Sequence, residues 1–337
     1  MPFYYRIDGT TDEGKRTAQG LLRLRKQLDA QIPPRKLAGA LLLATWNIRH
    51  FGGNRWEEAL YYIAEVISRF DIIAVQEVKA DLSGLAQVQR ILGHTWKYVV
   101  TDVTMTRTGN YERLAFLYDE NKVRFRGLAG EVVLSDSDLE KVNLSRQLAR
   151  TPYLCGFQAG WWKFNLCTVH IYYGGKSANQ KERVAEIGAL AKYMARRAEK
   201  QAESEENLVL LGDFNIFKPE DKTMEALTKA GFFVPESLQS IKGSNVAKDK
   251  HYDQIAFVKK DLRLGYEDQA GVFDYYESVF RKSDEAVYAP LLNKTPEDED
   301  EDKGFDGRRT YQMSDHLPMW VELRTDFGRQ YLESKLA

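Results

Sequence analysis

LLLATWN, residues 41–47, is an unbroken apolar run that ends in polar side chains, and it reads as a buried strand. Downstream, Leu60, Ile63, Ala64 and Ile67 recur at helical spacing between Trp56 and Phe70, and DIIAVQ (71–76) follows as a second buried strand. Together they form a strand, helix, strand unit. Further strand-like runs lie at Trp96–Thr101, Leu114–Tyr118, Leu166–Ile171, Leu208–Leu211, Gln254–Val258 and Met319–Leu323. Two sheets faced by helices accommodate them. Residues 180–200 carry Val184, Ile187, Ala191 and Met194 on one face of an amphipathic helix, whose reading is packing.

The flanks read differently. In residues 1–40, Leu21, Leu22, Leu24, Leu28 and Ile32 give a partial helical stripe that Pro33 and Pro34 end, so a helical extension outside the catalytic domain is expected. The main domain then spans residues 41–325 and a short tail residues 326–337. Near 290–305, the run PEDEDEDK lacks apolar residues and reads as a mobile acidic insertion.

Charge is balanced, 48 basic against 49 acidic residues, so no global field advertises a polyanionic partner; a metal and a few local cations could still hold phosphate. No run approaches the roughly 18 apolar residues of a membrane span. The N-terminus lacks the basic-then-apolar pattern of a secretory signal, which makes a cytoplasmic location the expectation. Two cysteines, Cys155 and Cys167, are too few for a disulfide framework and read as buried thiols.

Residues suited to metal and proton chemistry recur at the ends of the apolar runs. They are Asn47 in TWNIRHF, Glu77 in AVQEVK, Glu112 in NYERLAFLY, Arg150 in LARTPY and His170 in CTVHIYYGG. VLLGDFNIF adds Asp213 and Asn215, HYDQIAFV adds Asp253, and MSDHLPMWVEL adds Asp315 and His316. Each alone has an ordinary structural explanation, as a surface carboxylate, a turn or a cap. Combined, they hold oxygen donors for a hard cation, two histidines and an arginine for phosphate. Magnesium takes oxygen ligands, so Glu77 and Asp315 with Asn47 nearby would suit it, whereas zinc lacks its thiolates or paired histidines. Manganese is the expected substitute and calcium a candidate structural ion.

These segments, in this order, resemble the endonuclease/exonuclease/phosphatase superfamily, with GDFN and SDH as its most specific signatures. FDIIAVQEVKAD, YERLAFLY, RTP, YDQI and SDHLPMWVEL are similar to stretches of its deoxyribonuclease I branch. The resemblance implies an α/β four-layer sandwich of two mostly antiparallel β-sheets flanked by helices. It implies that Glu77 is the main magnesium ligand, with Asn47 and Asp315 close to metal and phosphate. It pairs Glu112 with His170 and Asp253 with His316, has Asp213 and Asn215 orient the water and the phosphate, and places Arg150 on a phosphate oxygen. A carboxylate on one imidazole nitrogen raises the basicity of the other, which suits proton transfer. We assign His316 as general base and His170 as general acid toward the leaving oxygen, although the sequence leaves an exchange of roles open. Lys79 and Tyr111 fall where that branch enters the minor groove, as candidate substrate contacts.

The expected function is therefore a magnesium-dependent phosphodiesterase acting on DNA. The alternatives are a phosphatase or phospholipase-type enzyme on a small or lipid phosphoester, and a nucleic-acid-binding module without turnover. A WCDRI-like motif, expected of inositol-phosphate phosphatases, is replaced here by HYDQI. Arg308, Arg309 and Tyr311 are candidates for a local phosphate-facing rim, with a solvated loop as the plainer reading.

Overall fold

The computed structural model describes residues 2–105, 110–141, 144, 146–200, 207–258, 266–292 and 304–336. The acidic run expected at 296–303 lies outside them. The strands are β1 (Ala40–Phe51), β2 (Ile72–Lys79), β3 (Trp96–Val100), β4 (Glu112–Asp119), β5 (Arg124–Glu131) and β6 (Tyr153–Ala159). They continue as β7 (Trp162–His170), β8 (Asn207–Asp213), β9 (Phe232–Phe233), β10 (Asp253–Val258), β11 (Tyr266–Val272) and β12 (Met319–Arg324). The helices are α1 (Asp12–Gln31), α2 (Glu57–Ile67), α3 (Ser83–Leu92), α4 (Asp136–Glu140) and α5 (Lys181–Lys200). After them come α6 (Lys222–Thr228), α7 (Glu236–Gln239), α8 (Glu285–Leu292), α9 (Phe305–Gln312) and α10 (Gly328–Glu333).

Two six-stranded sheets form, ordered β11-β12-β1-β2-β4-β3 and β5-β6-β7-β8-β10-β9. Each has one parallel pair at its centre, β1 with β2 and β7 with β8, and every other pairing is antiparallel. The helices that make those two parallel crossovers, α2 and α5, flank the sheets, giving the expected four-layer sandwich.

The apolar run of β1 has a simple cause. Leu41 and Leu43 join the core between the sheets, whereas Leu42, Ala44 and Trp46 join a second core under the helices. Side chains alternate across a strand, so a strand covered on both faces must be apolar at every position. Strand β2 repeats this, with Ile72 and Ala74 on one side and Ile73 and Val75 on the other.

Helix α1 forms as expected, capped by the Thr11 hydroxyl, which accepts from Gly14 N at 3.0 Å. It does not stand outside the domain. Leu21, Leu24, Leu28 and Ile32 are buried in the same core as α2 and β1, because the stripe is long enough to cover part of that layer. Cys155 and Cys167 are buried free thiols. Cys155 stands opposite Leu166 and Cys167 opposite Leu154, so the one-residue offset turns the two side chains to opposite faces of the sheet.

Candidate active site

Strand register gathers the polar residues. His170, Asp213 and Asp253 occupy one row across β7, β8 and β10, since His170 pairs with Asp213 and Asp213 with Asp253. Across the interface, Asn47 and Glu77 lie toward the C-terminal ends of β1 and β2, and Glu112 is the first residue of β4. All but Glu77 are buried, an expensive placement for polar groups unless each has a partner.

Two imidazole couples result. His316 Nδ1 lies 2.8 Å from Asp253 Oδ2. His170 Nδ1 lies 2.9 Å from Glu112 Oε2, at ion-pair distance without hydrogen-bond geometry, and Glu112 Oε2 accepts from Arg150 Nε at 2.8 Å. Between the outer faces of both rings sits Asp213, whose Oδ2 is 3.4 Å from His170 Nε2 and 3.8 Å from His316 Nε2. Burial opposes charge on His316, but Asp253 and Asp213 outweigh it and hold the imidazole well above its ordinary pKa.

Glu77 reaches the cluster through an irregular backbone. The register of β2 against β4 shifts between Val75 and Val78, and Glu77 has φ 60°. Such a bulge turns a side chain out of the alternation, and a left-handed non-glycine residue persists only where its surroundings hold it. Here His50 N donates to Glu77 Oε2 and Asn47 Nδ2 to Glu77 Oε1, both at 3.0 Å. Burial raises the Glu77 carboxyl, but the neighbouring His170 and His50 outweigh it, and the group stays well below the carboxylate range. Burial likewise raises Glu112, and His170 brings it below its ordinary value.

Asn47 Nδ2 also donates to Asp213 Oδ2 at 3.0 Å, tying the metal-side residues to the imidazole row. Its Oδ1 is buried without a partner, as is Glu112 Oε1. Ligand atoms of Glu77, Glu112 and His170 lie within 4.8 Å of one another. Carboxylate and amide oxygens left unsatisfied around one point fit a hard divalent cation, which would complete them.

Residues 44–232, more than half of the chain, match the model of the endonuclease/exonuclease/phosphatase family. The chain belongs to this family. It is 28% identical to a deoxyribonuclease of Thioalkalivibrio sp. (strain K90mix) over 289 residues, covering 83% of this chain and 70% of that protein. A shorter match, 33% identical over 97 residues, covers 26% of this chain and 33% of deoxyribonuclease-1 of Mus musculus. Among solved structures, the mannosyl-6-phosphatase of Bacteroides thetaiotaomicron superposes with TM-score 0.53 at 18% identity, covering 84% of this chain and 99% of the other. TDP2 of C. elegans gives TM-score 0.53 at 14% identity, covering 85% and 75%. At such identities the two structures show the shared fold. The protein is thus a hydrolase of the endonuclease/exonuclease/phosphatase family.

Within this family member, most residues singled out in the sequence converge. Asp315 differs. Its side chain is exposed, its backbone carbonyl accepts from Val246 N at 2.9 Å, and the group of ligand atoms within 4.8 Å of one another comprises Glu77, Glu112 and His170. Lys79 Nζ reaches to 3.9 Å of Glu112 Oε1, and Tyr111 stands exposed beside it with φ 54°. The segment holding Arg308, Arg309 and Tyr311 is a helix, not a solvated loop, and Arg309 is buried over the Tyr276 ring at 4.5 Å.

Three contributors were not foreseen. Ser314 Oγ donates to Asn47 O at 2.7 Å and accepts from His316 N at 3.0 Å, so the serine of SDH pins β1 to the histidine. Gln76 Nε2 donates to Thr168 Oγ1 at 2.8 Å, joining β2 to β7. Tyr252, next to Asp253, packs its ring 5.4 Å from His316. Ser314 and Tyr252 flank residues already marked in the sequence, and that adjacency was the available signal.

Proposed function

We propose that the protein is a magnesium-dependent phosphodiesterase that cuts DNA with little sequence preference. The observation that carries this reading is Asp213 placed between the Nε2 atoms of two carboxylate-backed histidines, beside the partnerless oxygens of Asn47 and Glu112. Glu77 and Asn47, with Glu112, would hold magnesium, which when bound neutralises phosphate oxygens and favours ionisation of water.

The residues divide the remaining work. His316 accepts a proton from water through Nε2 as the water oxygen bonds to phosphorus. His170 returns a proton to the oxygen that leaves as the P–O3′ bond breaks. Asp253 holds His316 through Nδ1 and leaves Nε2 on the side of Asp213, where the water would be deprotonated, and this geometry gives His316 the base role. Asp213 orients the water between the rings, Asn215 supports it, and Arg150 faces a phosphate oxygen. DNA as the substrate is supported by the relatives named deoxyribonucleases, and by Lys79 and the exposed Tyr111 at the edge of the cluster.

Purified protein with magnesium should nick supercoiled plasmid faster than it releases phosphate from a panel of sugar and lipid phosphoesters. Absence of nicking at micromolar enzyme with magnesium, manganese and calcium would reject the DNA reading. Release from the panel instead would identify a phosphatase or phospholipase-type enzyme, and DNA binding without cleavage a binding module.

A further inference from the structure

The helix α5, read from sequence as a packing element, carries a fully buried arginine that faces the two loops leaving the catalytic strands of the second sheet. Arg183 spends its donors on main-chain carbonyls. Its Nη1 donates to Asn215 O at 3.0 Å and to Ser177 O at 3.3 Å. Its Nη2 donates to Gly175 O at 2.9 Å and to Tyr173 O, and Nε to Tyr173 O at 3.1 Å. The guanidinium carbon packs 5.1 Å from the Tyr173 ring centre and 4.8 Å from that of Phe217.

These carbonyls belong to the loop after His170 and to the loop after Asp213. A buried guanidinium without a carboxylate partner would be costly, so carbonyl dipoles must surround it in a fixed array. That array constrains Asn215, which has φ 52°. Asn215 N donates to Asp213 Oδ1 at 2.8 Å, and Asn215 Nδ2 to Ile171 O at 2.8 Å. The path from Arg183 to the reacting atoms is therefore two bonds long: guanidinium to Asn215, Asn215 to Asp213.

We propose that Arg183 is a positioning residue for hydrolysis, fixing through Asn215 the aim of Asp213 at the Nε2 atoms of His170 and His316. The inference rests on the phosphodiesterase reading above and adds to it a residue outside the strand-end cluster. A lysine cannot replace it, because one ammonium group cannot span carbonyls on two loops.

The test uses full-length protein and bis(p-nitrophenyl) phosphate, a diester that reports hydrolysis whatever the natural substrate. Arg183→Met should lower kcat by about 100-fold with KM unchanged, the scale of a small misplacement at the reacting centre. Arg183→Lys should behave alike, and added methylguanidinium should restore part of kcat in Arg183→Met. Hydrogen exchange should quicken at residues 171–177 and 213–217 while β1 and β2 keep their protection. Wild-type kcat in a folded Arg183→Met, or a loss that only tracks the unfolded fraction without rescue, overturns the proposal. If Arg183→Met does not fold, Tyr173→Leu, which uncovers the guanidinium, should lower kcat at fixed KM and quicken exchange in the same loops; unchanged kcat there also overturns it. Should wild type hydrolyse no diester, the functional reading falls, whereas the exchange pattern still reports on Arg183.

Discussion

Strands β2 and β4 carry a buried acidic cluster at each end, and the two clusters are built to different rules. At one end Asp71 and Asp119 meet Arg35 and Lys122. Arg35 donates to Asp71 Oδ1 and Asp119 Oδ2, both at 2.7 Å, and Lys122 Nζ and Leu42 N reach Asp71 Oδ2 at 2.7 and 2.8 Å. At the other end Glu77 and Glu112 meet Asp213 and Asp253 across the sheets, with Arg150 and Lys79 as nearby cations. Buried oxygens without partners occur there on Asn47, Glu112 and Asp253, and on neither Asp71 nor Asp119. A completed charge network fastens strands; one left incomplete, with acceptors in excess, is prepared to receive a cation and a phosphate.

The largest expected effect separates the two ends by activity. His170→Ala or His316→Ala should lower turnover by roughly two to four orders of magnitude with folding intact, the range for loss of a general acid or base. Steady-state kinetics on a diester, alongside a melting curve, checks it. Wild-type turnover in both variants would show that the incomplete cluster is not the reaction centre.

Next comes the complementary substitution. Asp71→Asn takes the carboxylate from Lys122 and leaves Arg35 with Asp119 alone, and the loss of one partner from a buried network should cost about 3 kcal/mol in urea unfolding. Turnover per folded molecule should stay at the wild-type level. A drop in kcat without a drop in stability would make the completed cluster part of the reaction centre.

How far the sequence discloses these two ends differs as well. LLLATWN and DIIAVQ betray central strands because two cores demand apolar side chains on both faces. The glycine of GDFN is equally telling: Gly212 has φ 137°, and a Cβ there would lie 2.2 Å from Val169 O, so no other residue fits. The strands β5, β6, β9 and β11 lie outside the strand-like runs; β5 in particular is an exposed edge, RFRGLAGE, without alternation of polarity. The residues that converge on the cluster were legible, since metal and proton chemistry limits the candidates to few residue types at strand ends. The left-handed backbone at Glu77 was not, because it comes with a bulge that no side-chain pattern encodes. Arg183 was hidden for a related reason: its partners are carbonyls, which every residue has.

A third measurement loads the incomplete end. Magnesium that satisfies the oxygens of Glu77, Glu112 and Asn47 binds the folded state alone, so at one hundred times its Kd it should stabilise the protein by about 2.7 kcal/mol. A thermal shift titrated with magnesium reads this, and Glu77→Gln should abolish most of it. A shift that survives Glu77→Gln unchanged places the ion elsewhere.

The smallest effect is a pH dependence belonging to the completed end. Burial raises the Asp119 carboxyl, but the hydrogen bonds from Arg35 and from Asn121 N outweigh it, so its folded-state pKa lies below the ordinary 3.8. An acid with a depressed folded pKa binds fewer protons folded than unfolded. Its contribution is therefore complete above that ordinary value and is lost as pH falls through the lower folded one. Urea midpoints should then fall more steeply for wild type than for Asp119→Asn on acidification below about pH 4, and run parallel above it. The acceptor-rich end cannot give this signature through Asp253, whose carboxyl burial pushes up despite His316. Parallel curves throughout would mean that Asp119 gains nothing from Arg35, and that the network fastening β2 to β4 rests on Asp71 alone.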